Sequence, residues 1–169
     1  MSKPQKPGAE TVQTLFNRIA PVYDQFNDQL SFGLHRIWKR KAVNWSGVKS
    51  GGRALDLCCG SADFTYLLAQ QVGATGESVG VDFSAELLAI ADARKSTTYS
   101  PAAIQWVEAD VLNLPFEGNS FDGATMGYGL RNVVDIGQSL GEIYRVLKPG
   151  KAVAILDMHR PVQPWMERF

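Results

Sequence analysis

Ala54-Leu55-Asp56-Leu57-Cys58-Cys59-Gly60-Ser61-Ala62-Asp63 is the stretch that decides the fold. A short apolar run carrying one acid passes into a cluster of small residues, and residues 61–72 then take up helical spacing. Strand, tight turn and helix in that order open a βαβ unit. The turn has to reverse sharply and let a ligand approach its backbone, which explains Gly60.

The alternation continues downstream. Residues 54–58, 78–82, 104–108, 121–126 and 152–156 read as five short buried strands. Ser84 caps a helix running to about Arg94, with Glu86 in its first turn. Ile136, Leu140, Ile143, Tyr144 and Leu147 mark one face of another helix, stopped by Lys148-Pro149-Gly150. Upstream, Val12, Leu15, Phe16, Ile19, Val22, Tyr23 and Phe26 have amphipathic spacing, with a break or kink at Pro21. A second helix at about 34–45 carries Leu34, Ile37, Trp38, Ala42 and Trp45 on one side. Ser50-Gly51-Gly52 separates these helices from the alternating part. The expectation is an α/β domain: a mostly parallel sheet of about five strands, with helices on both faces. Residues 1–10 read as a disordered tail, 11–50 as an N-terminal helical cover and 51–169 as the core, all one globular domain. Right-handed crossovers place the strand C-termini along one edge, where open α/β sheets keep their ligands.

Composition narrows the partners. The 169 residues carry no formal net charge, so nothing global draws the chain to nucleic acid. Hydrophobic content of 45% and charged content of 20% are those of a soluble globular protein. Cys58 and Cys59 are adjacent and the only cysteines, which gives neither a disulfide framework nor metal-ligand spacing and suits a reducing cytoplasm. They read mainly as small strand-end packing residues. No apolar run reaches the ~20 residues of a membrane-spanning helix. Residues 1–10 lack the apolar region of a secretory signal.

A dinucleotide site wants Gly-x-Gly-x-x-Gly at the first turn. Here Cys58-x-Gly60-x-x-Asp63 misses both outer glycines and brings acids where a pyrophosphate would sit. Two carboxylates suit a cofactor with a cationic ammonium and sulfonium. Asp56-x-Cys58-x-Gly60-x-Ala62 resembles the first motif of class I methyltransferases, with one of that motif's three glycines in place. On that reading Cys58 flanks the cofactor through its backbone, beside Gly60 and Ser61. Asp82, ending the second strand, is placed to accept both ribose hydroxyls. Asp110 and the N–H of Val111 are placed to read the adenine edge, with Phe83 and Leu112 as apolar walls. Asp82 as a helix N-cap and Asp110 as a turn residue are the competing readings.

Further segments narrow the resemblance. Phe16-Asn17-Arg18-Ile19-Ala20-Pro21-Val22-Tyr23-Asp24, Leu30-Ser31-Phe32-Gly33-Leu34-His35-Arg36-Ile37-Trp38-Lys39, Gly129-Leu130-Arg131-Asn132-Val133 and Tyr144-Arg145-Val146-Leu147-Lys148-Pro149-Gly150 resemble the ubiquinone/menaquinone biosynthesis C-methyltransferase family over about residues 11–160. Cys58-Cys59 and Met126-Gly127-Tyr128-Gly129 are most similar to its phylloquinone branch. The resemblance implies a Rossmann-like class I fold, S-adenosyl-L-methionine as cofactor and methyl transfer to a ring carbon of a demethylated, prenylated quinol.

The acceptor carbon becomes nucleophilic when a ring hydroxyl loses its proton, so the site needs a base, directly or through water, and a donor for the phenolate. Arg131 is the candidate for the phenolate, Asn132 for orienting the same oxygen and His35 for the base. Asp135 is the competing partner of Arg131. For His35 the competing reading is a helix-start residue bonded to a backbone carbonyl. Tyr23 or Asp24 would contact the cofactor or relay the proton, and Gly127 would line its site. His159 reads as structural or exposed. Arg36, Lys39, Arg40 and Lys41 with Trp38 and Trp45 form either a peripheral membrane surface or a solvated helix face with its tryptophans in the core. The class I fold carries a further strand hairpin beside the fifth strand. The sequence is therefore expected to be a fragment, or to have that strand covered by a second copy or another partner. A methyltransferase for another small molecule and a non-catalytic adenosyl-binding domain are the alternative functions.

Overall fold

Five strands, β1 (Arg53–Leu57), β2 (Glu77–Asp82), β3 (Ala103–Glu108), β4 (Gly123–Gly127) and β5 (Val153–Leu156), form a sheet in the order β3-β2-β1-β4-β5. Every pairing is parallel, with Leu57 opposite Val81 on one side and Met126 on the other. The structure is a computed structural model that describes residues 34–95 and 102–157. The first amphipathic stretch, Tyr23, Asp24, His159 and the tail lie outside the described residues.

Parallel strands covered on both faces need apolar residues on both sides, and β1 has them. Leu55 and Leu57 join Val79, Val81, Met126, Ile143 and Val146 in one core. Ala54 joins Phe64, Leu68, Val72, Ala42 and Val43 in another. Helices α1 (Leu34–Trp45) and α2 (Asp63–Val72) supply the second core, and α4 (Ile136–Val146) supplies the first. Helix α3 (Ala85–Lys95) is tied to α2 by the Tyr66 hydroxyl, which donates to the Ala91 carbonyl at 2.6 Å. Ser84 caps α3, its Oγ accepting from Leu87 N at 3.2 Å.

The expected alternation is present, with shifts that have local causes. β1 ends at Leu57 rather than Cys58 because Cys58 turns to φ 53°. α2 begins at Asp63 rather than Ser61 because Ala62 is left-handed, φ 76°. β4 begins at Gly123 rather than Phe121, which makes only an isolated bridge with Leu147, while Asp122 turns aside to accept from Arg53 N at 3.0 Å.

Two helices present a different face from the one their apolar spacing predicts. In α1 the buried residues are His35, Lys39, Ala42 and Val43, and Leu34, Ile37, Trp38 and Trp45 are exposed. On the buried side Lys39 pairs with Asp63, at the start of α2. In α4, Ser139, Ile143 and Val146 face inward, and Ile136, Leu140 and Tyr144 face out. A polar clamp orients this helix. Glu142 accepts from Leu114 N at 2.8 Å, and Arg145 donates to the carbonyls of Leu114 and Phe116 at 2.9 and 2.6 Å. Arg145 also holds the Glu142 carboxyl down to about 2.

Candidate active site

The loop after β1 is built on an alternation of left-handed residues: Cys58 at φ 53°, Gly60 at 54° and Ala62 at 76°. These are the three positions where the motif carries glycine. Only Gly60 adopts that conformation without a steric penalty, and each of the other two costs about 1–3 kcal/mol that the surroundings must offset. Cys59 N donates to the Val81 carbonyl at 2.9 Å, and Gly60 N to Asp82 Oδ2 at 2.8 Å. A methyl group at Gly60 would meet no protein atom within 4 Å. The space in front of it belongs to a cavity at the carboxyl edge of the sheet.

Asp82 is the hinge of that cavity. Its Oδ1 accepts from Ser84 N at 3.0 Å while Oδ2 holds Gly60, so one carboxylate joins the β1 loop to the turn into α3. Burial pushes its pKa up against the pull of the Gly60 and Ser84 amides. Ser84, not Asp82, is the helix cap. Asp110 takes both of its anticipated positions: its Oδ1 accepts from Leu112 N at 2.9 Å in a turn, and the residue lines the cavity. Phe83, Val111 and Leu112 form the apolar wall between them, with Leu87, Ala109 and Val133, which the sequence reading did not single out.

Asp56 is part of the floor, but its oxygens are already taken. Thr65 Oγ1 donates to Oδ2 at 2.7 Å and Thr125 Oγ1 to Oδ1 at 2.9 Å. Burial raises its pKa to about 7. Asp63 is also engaged. Lys39 Nζ pairs with its Oδ2, and Arg94 with its Oδ1 at 2.8 Å while also donating to the Ser61 carbonyl. Burial alone would raise Asp63, but the two cations outweigh it and hold its carboxyl below the ordinary range. Neither loop acid therefore faces a ligand unpartnered, as the count of carboxylates alone had suggested.

On the β4 side the wall is Gly127, Tyr128, Gly129 and Asn132. Gly127 is required by packing: a Cβ there would lie 2.3 Å from Phe64 Cε2. Asn132, on the 3-10 turn Leu130–Asn132, lines the cavity. Arg131 on the same turn does not. Its guanidinium reaches Asp157 at 3.6 Å and lies 5.7 Å from the centre of the Tyr128 ring. Its partner is Asp157 rather than Asp135, whose carboxylate caps α4 by accepting from Gln138 N at 2.9 Å. His35 is buried on α1, outside the cavity lining. Ser61, Cys58 and Cys59 do line it; burial, reinforced by the Asp82 and Asp56 carboxylates, keeps both cysteines as thiols. Among the described residues no three His, Cys, Asp or Glu side chains come together as metal ligands.

A floor of acids, an apolar slot beside Phe83 and a backbone loop with open space before it fit a ligand with a planar base, a hydroxylated middle and a cationic end. Residues 3–169 match the ubiE/COQ5 methyltransferase family. The chain belongs to that family. It is 64% identical over 158 residues to a 2-phytyl-1,4-naphtoquinone methyltransferase of Nostoc punctiforme, covering 94% of this chain and 69% of that one. It is 58% identical to its Synechocystis sp. counterpart (92% and 66% covered) and 56% identical to the chloroplastic 2-phytyl-1,4-beta-naphthoquinone methyltransferase of Arabidopsis thaliana (88% and 58% covered). The chain thus spans about two thirds of the length of the curated relatives it matches. The fold is shared with a SAM dependent methyltransferase from Aquifex aeolicus (TM-score 0.64, 22% identity, 75% of this chain and 66% of that one). It is shared as well with the cyclase SpnF (TM-score 0.73, 20% identity, 91% and 61%). The second likeness shows that this architecture alone does not specify methyl transfer.

Proposed function

We propose that this chain is the S-adenosyl-L-methionine-binding part of an enzyme that methylates a ring carbon of a demethylated, prenylated naphthoquinol. The observation that carries the proposal is the cavity organised by Asp82, in a chain more than half identical to naphthoquinone methyltransferases. Asp82 would take the ribose hydroxyls; Asp110 and Val111 would take the adenine edge against Phe83 and Leu112. Gly60 and Ser61 would follow the ligand with backbone, and Gly127 would leave room beside Phe64. Tyr23 and the Cys58 backbone complete the proposed contacts, and Asp56, its oxygens taken by Thr65 and Thr125, holds the floor beneath them. When bound, the cofactor supplies an electrophilic methyl group on its sulfonium.

The chain's own part is to position the acceptor and raise the electron density of its ring. Asn132, in the cavity wall, would orient the reacting ring's oxygen. Arg131, on the same turn as Asn132, would stabilise the phenolate once free of Asp157. His35 serves as base only through intervening water, since its ring does not reach the wall.

A prenyl tail has to be met at a lipid surface. No helix among the described residues is long and apolar enough to cross a membrane. The outer side of α1 offers Ile37, Trp38 and Trp45 at 52%, 43% and 71% exposure, beside Arg40 and Lys41. This is the composition that lies at an anionic bilayer surface, and we assign it peripheral contact there. β5, at the sheet edge, is the proposed contact for a second copy or another segment.

The test is transfer of a labelled methyl group from S-adenosylmethionine to demethylphylloquinol in mixed micelles, with a soluble naphthol as control. Methylation of the prenylated ring alone is expected. Methylation of the soluble naphthol alone would reassign the acceptor, and binding without transfer, even in the full-length enzyme, would reduce the chain to an adenosyl-binding domain.

A further inference from the structure

Among the described residues Tyr128 is the one bulky side chain on a left-handed backbone, φ 58°. Cys58 and Ala62 are small, and asparagine, at Asn119, is a usual occupant of that conformation. Glycine takes the step freely, and glycines flank Tyr128 on both sides, but both serve close approach instead. A Cβ at Gly127 would lie 2.3 Å from Phe64 Cε2, and one at Gly129 2.6 Å from Cys58 Cβ. The left-handed step, which turns the chain from β4 toward the Leu130–Asn132 turn, falls on the tyrosine. Strain held beside a site points to a use for the side chain that bears it.

Tyr128 is buried and lines the cavity. Its N–H donates to the Leu156 carbonyl at 2.7 Å, which fixes the turn against β5. Its carbonyl accepts a long hydrogen bond from Asn132 Nδ2, at 3.5 Å, and its ring centre lies 5.7 Å from the Arg131 guanidinium. One residue therefore touches both side chains assigned to the acceptor oxygen. The Arg131 side chain is 40% exposed and also reaches Asp157, at 3.6 Å. An arginine so exposed has many rotamers to lose when it pairs. A ring against the guanidinium removes some of them beforehand. A guanidinium stacks through its flat face and donates through its edge, so the ring and an oxygen do not compete for it.

We propose that Tyr128 is a positioning residue for the acceptor: its ring holds the Arg131 guanidinium beside the cavity wall, so that Asp157 and the acceptor phenolate exchange at the guanidinium edge without the side chain swinging into solvent. The proposal rests on reading Arg131 as the phenolate donor. Tyr128 acts through Arg131 and not on the reacting atoms, and the part that acts is the face of its ring rather than its hydroxyl.

Methyl transfer to demethylphylloquinol in mixed micelles, in the 169-residue chain and in the full-length enzyme, tests it. Tyrosine, phenylalanine and leucine bear the same left-handed penalty, so Tyr128→Phe and Tyr128→Leu isolate the ring face. Tyr128→Leu should lower kcat about ten-fold, the size of a partly desolvated cation–π contact. Its KM for S-adenosylmethionine should stay within about two-fold of the parent, since the cofactor is held elsewhere in the cavity. Tyr128→Phe keeps the ring face and should keep kcat within about three-fold. An unchanged kcat in Tyr128→Leu, an equal loss in both variants, or a rise in cofactor KM that matches the fall in kcat would mean that Tyr128 only shapes the turn. Each would overturn the proposal while leaving the methyltransferase reading standing. Absence of transfer in the folded parent and in the full-length enzyme alike would overturn that reading and the proposal together. A check free of the variants' folding is NMR of the parent chain. The Arg131 δ-protons should lie upfield of ordinary arginine positions, displaced by the ring current of Tyr128, and ordinary positions would overturn the proposal.

Discussion

Asp56 and Asp82 are buried acids on neighbouring strands of one sheet, both with carboxyls pushed upward by desolvation, and they do different jobs. Asp56 spends its oxygens on two threonine hydroxyls and so ties β1 to α2 and β4 from inside the sheet. Asp82 spends its oxygens on the amides of Gly60 and Ser84, and so ties together the two backbone turns that frame the cavity. Residue type and burial are alike in the two; the partners differ. An acid saturated by side chains within the sheet is a fastener whose loss is felt in stability. An acid holding loop backbone at the sheet edge shapes a site, and its loss is felt in ligand binding.

Asp56→Asn should give the larger effect on stability. The Asp56 carboxyl titrates at about 7 in the folded chain against an ordinary 3.8. Between those values the folded state holds a proton that the unfolded state has lost. Stability therefore falls as pH rises from about 4 to 7 and levels off above, by roughly 4 kcal/mol in all. An amide removes that slope. Urea denaturation at pH 5 and pH 8 should show the parent losing about 2–3 kcal/mol more than the variant over the interval. Ligand affinity should change less than about ten-fold. An unchanged slope, or a ligand loss without a stability change, would erase the distinction between the two acids.

Gly60→Ala probes the opposite side of the comparison. The left-handed backbone at φ 54° costs an alanine about 1 kcal/mol of stability. Its methyl would stand in the open space of the cavity. A small fall in thermal midpoint with an affinity loss of ten-fold or more is expected by melting and titration. Ligand binding unaffected by the methyl would place the ligand elsewhere.

The positions of the five strands, the loop and Asp82 were legible in the sequence because they are local. Short apolar runs bounded by turn residues mark β1 to β5, and an acid at a strand end is visible by position. What was not legible depends on contacts distant in the chain. Lys39 looks like one of four basic residues on a helix until Asp63, 24 positions on, comes beside it. Lys39 thus lies on the buried side of α1 while Leu34, Ile37, Trp38 and Trp45 are exposed, against the usual rule that an apolar side packs inward. Arg131 was read as a donor for the phenolate with Asp135 as its competing partner, but Asp135 is taken as the cap of α4 and Asp157 arrives from the end of β5. Cys58 and Ala62 looked like departures from a glycine pattern, yet the backbone adopts the glycine conformation at both positions. The pattern is thus a statement about φ, and packing around the loop can meet it without glycine.

The central claim is that the ligand sits at the sheet edge organised by Asp82. Calorimetric titration of the parent chain and Asp82→Ala with S-adenosylhomocysteine tests it most directly. The parent should bind, and the variant, shown to be folded by its circular dichroism, should bind about 100-fold more weakly or not at all. Parent-like affinity in a folded Asp82→Ala would contradict the account.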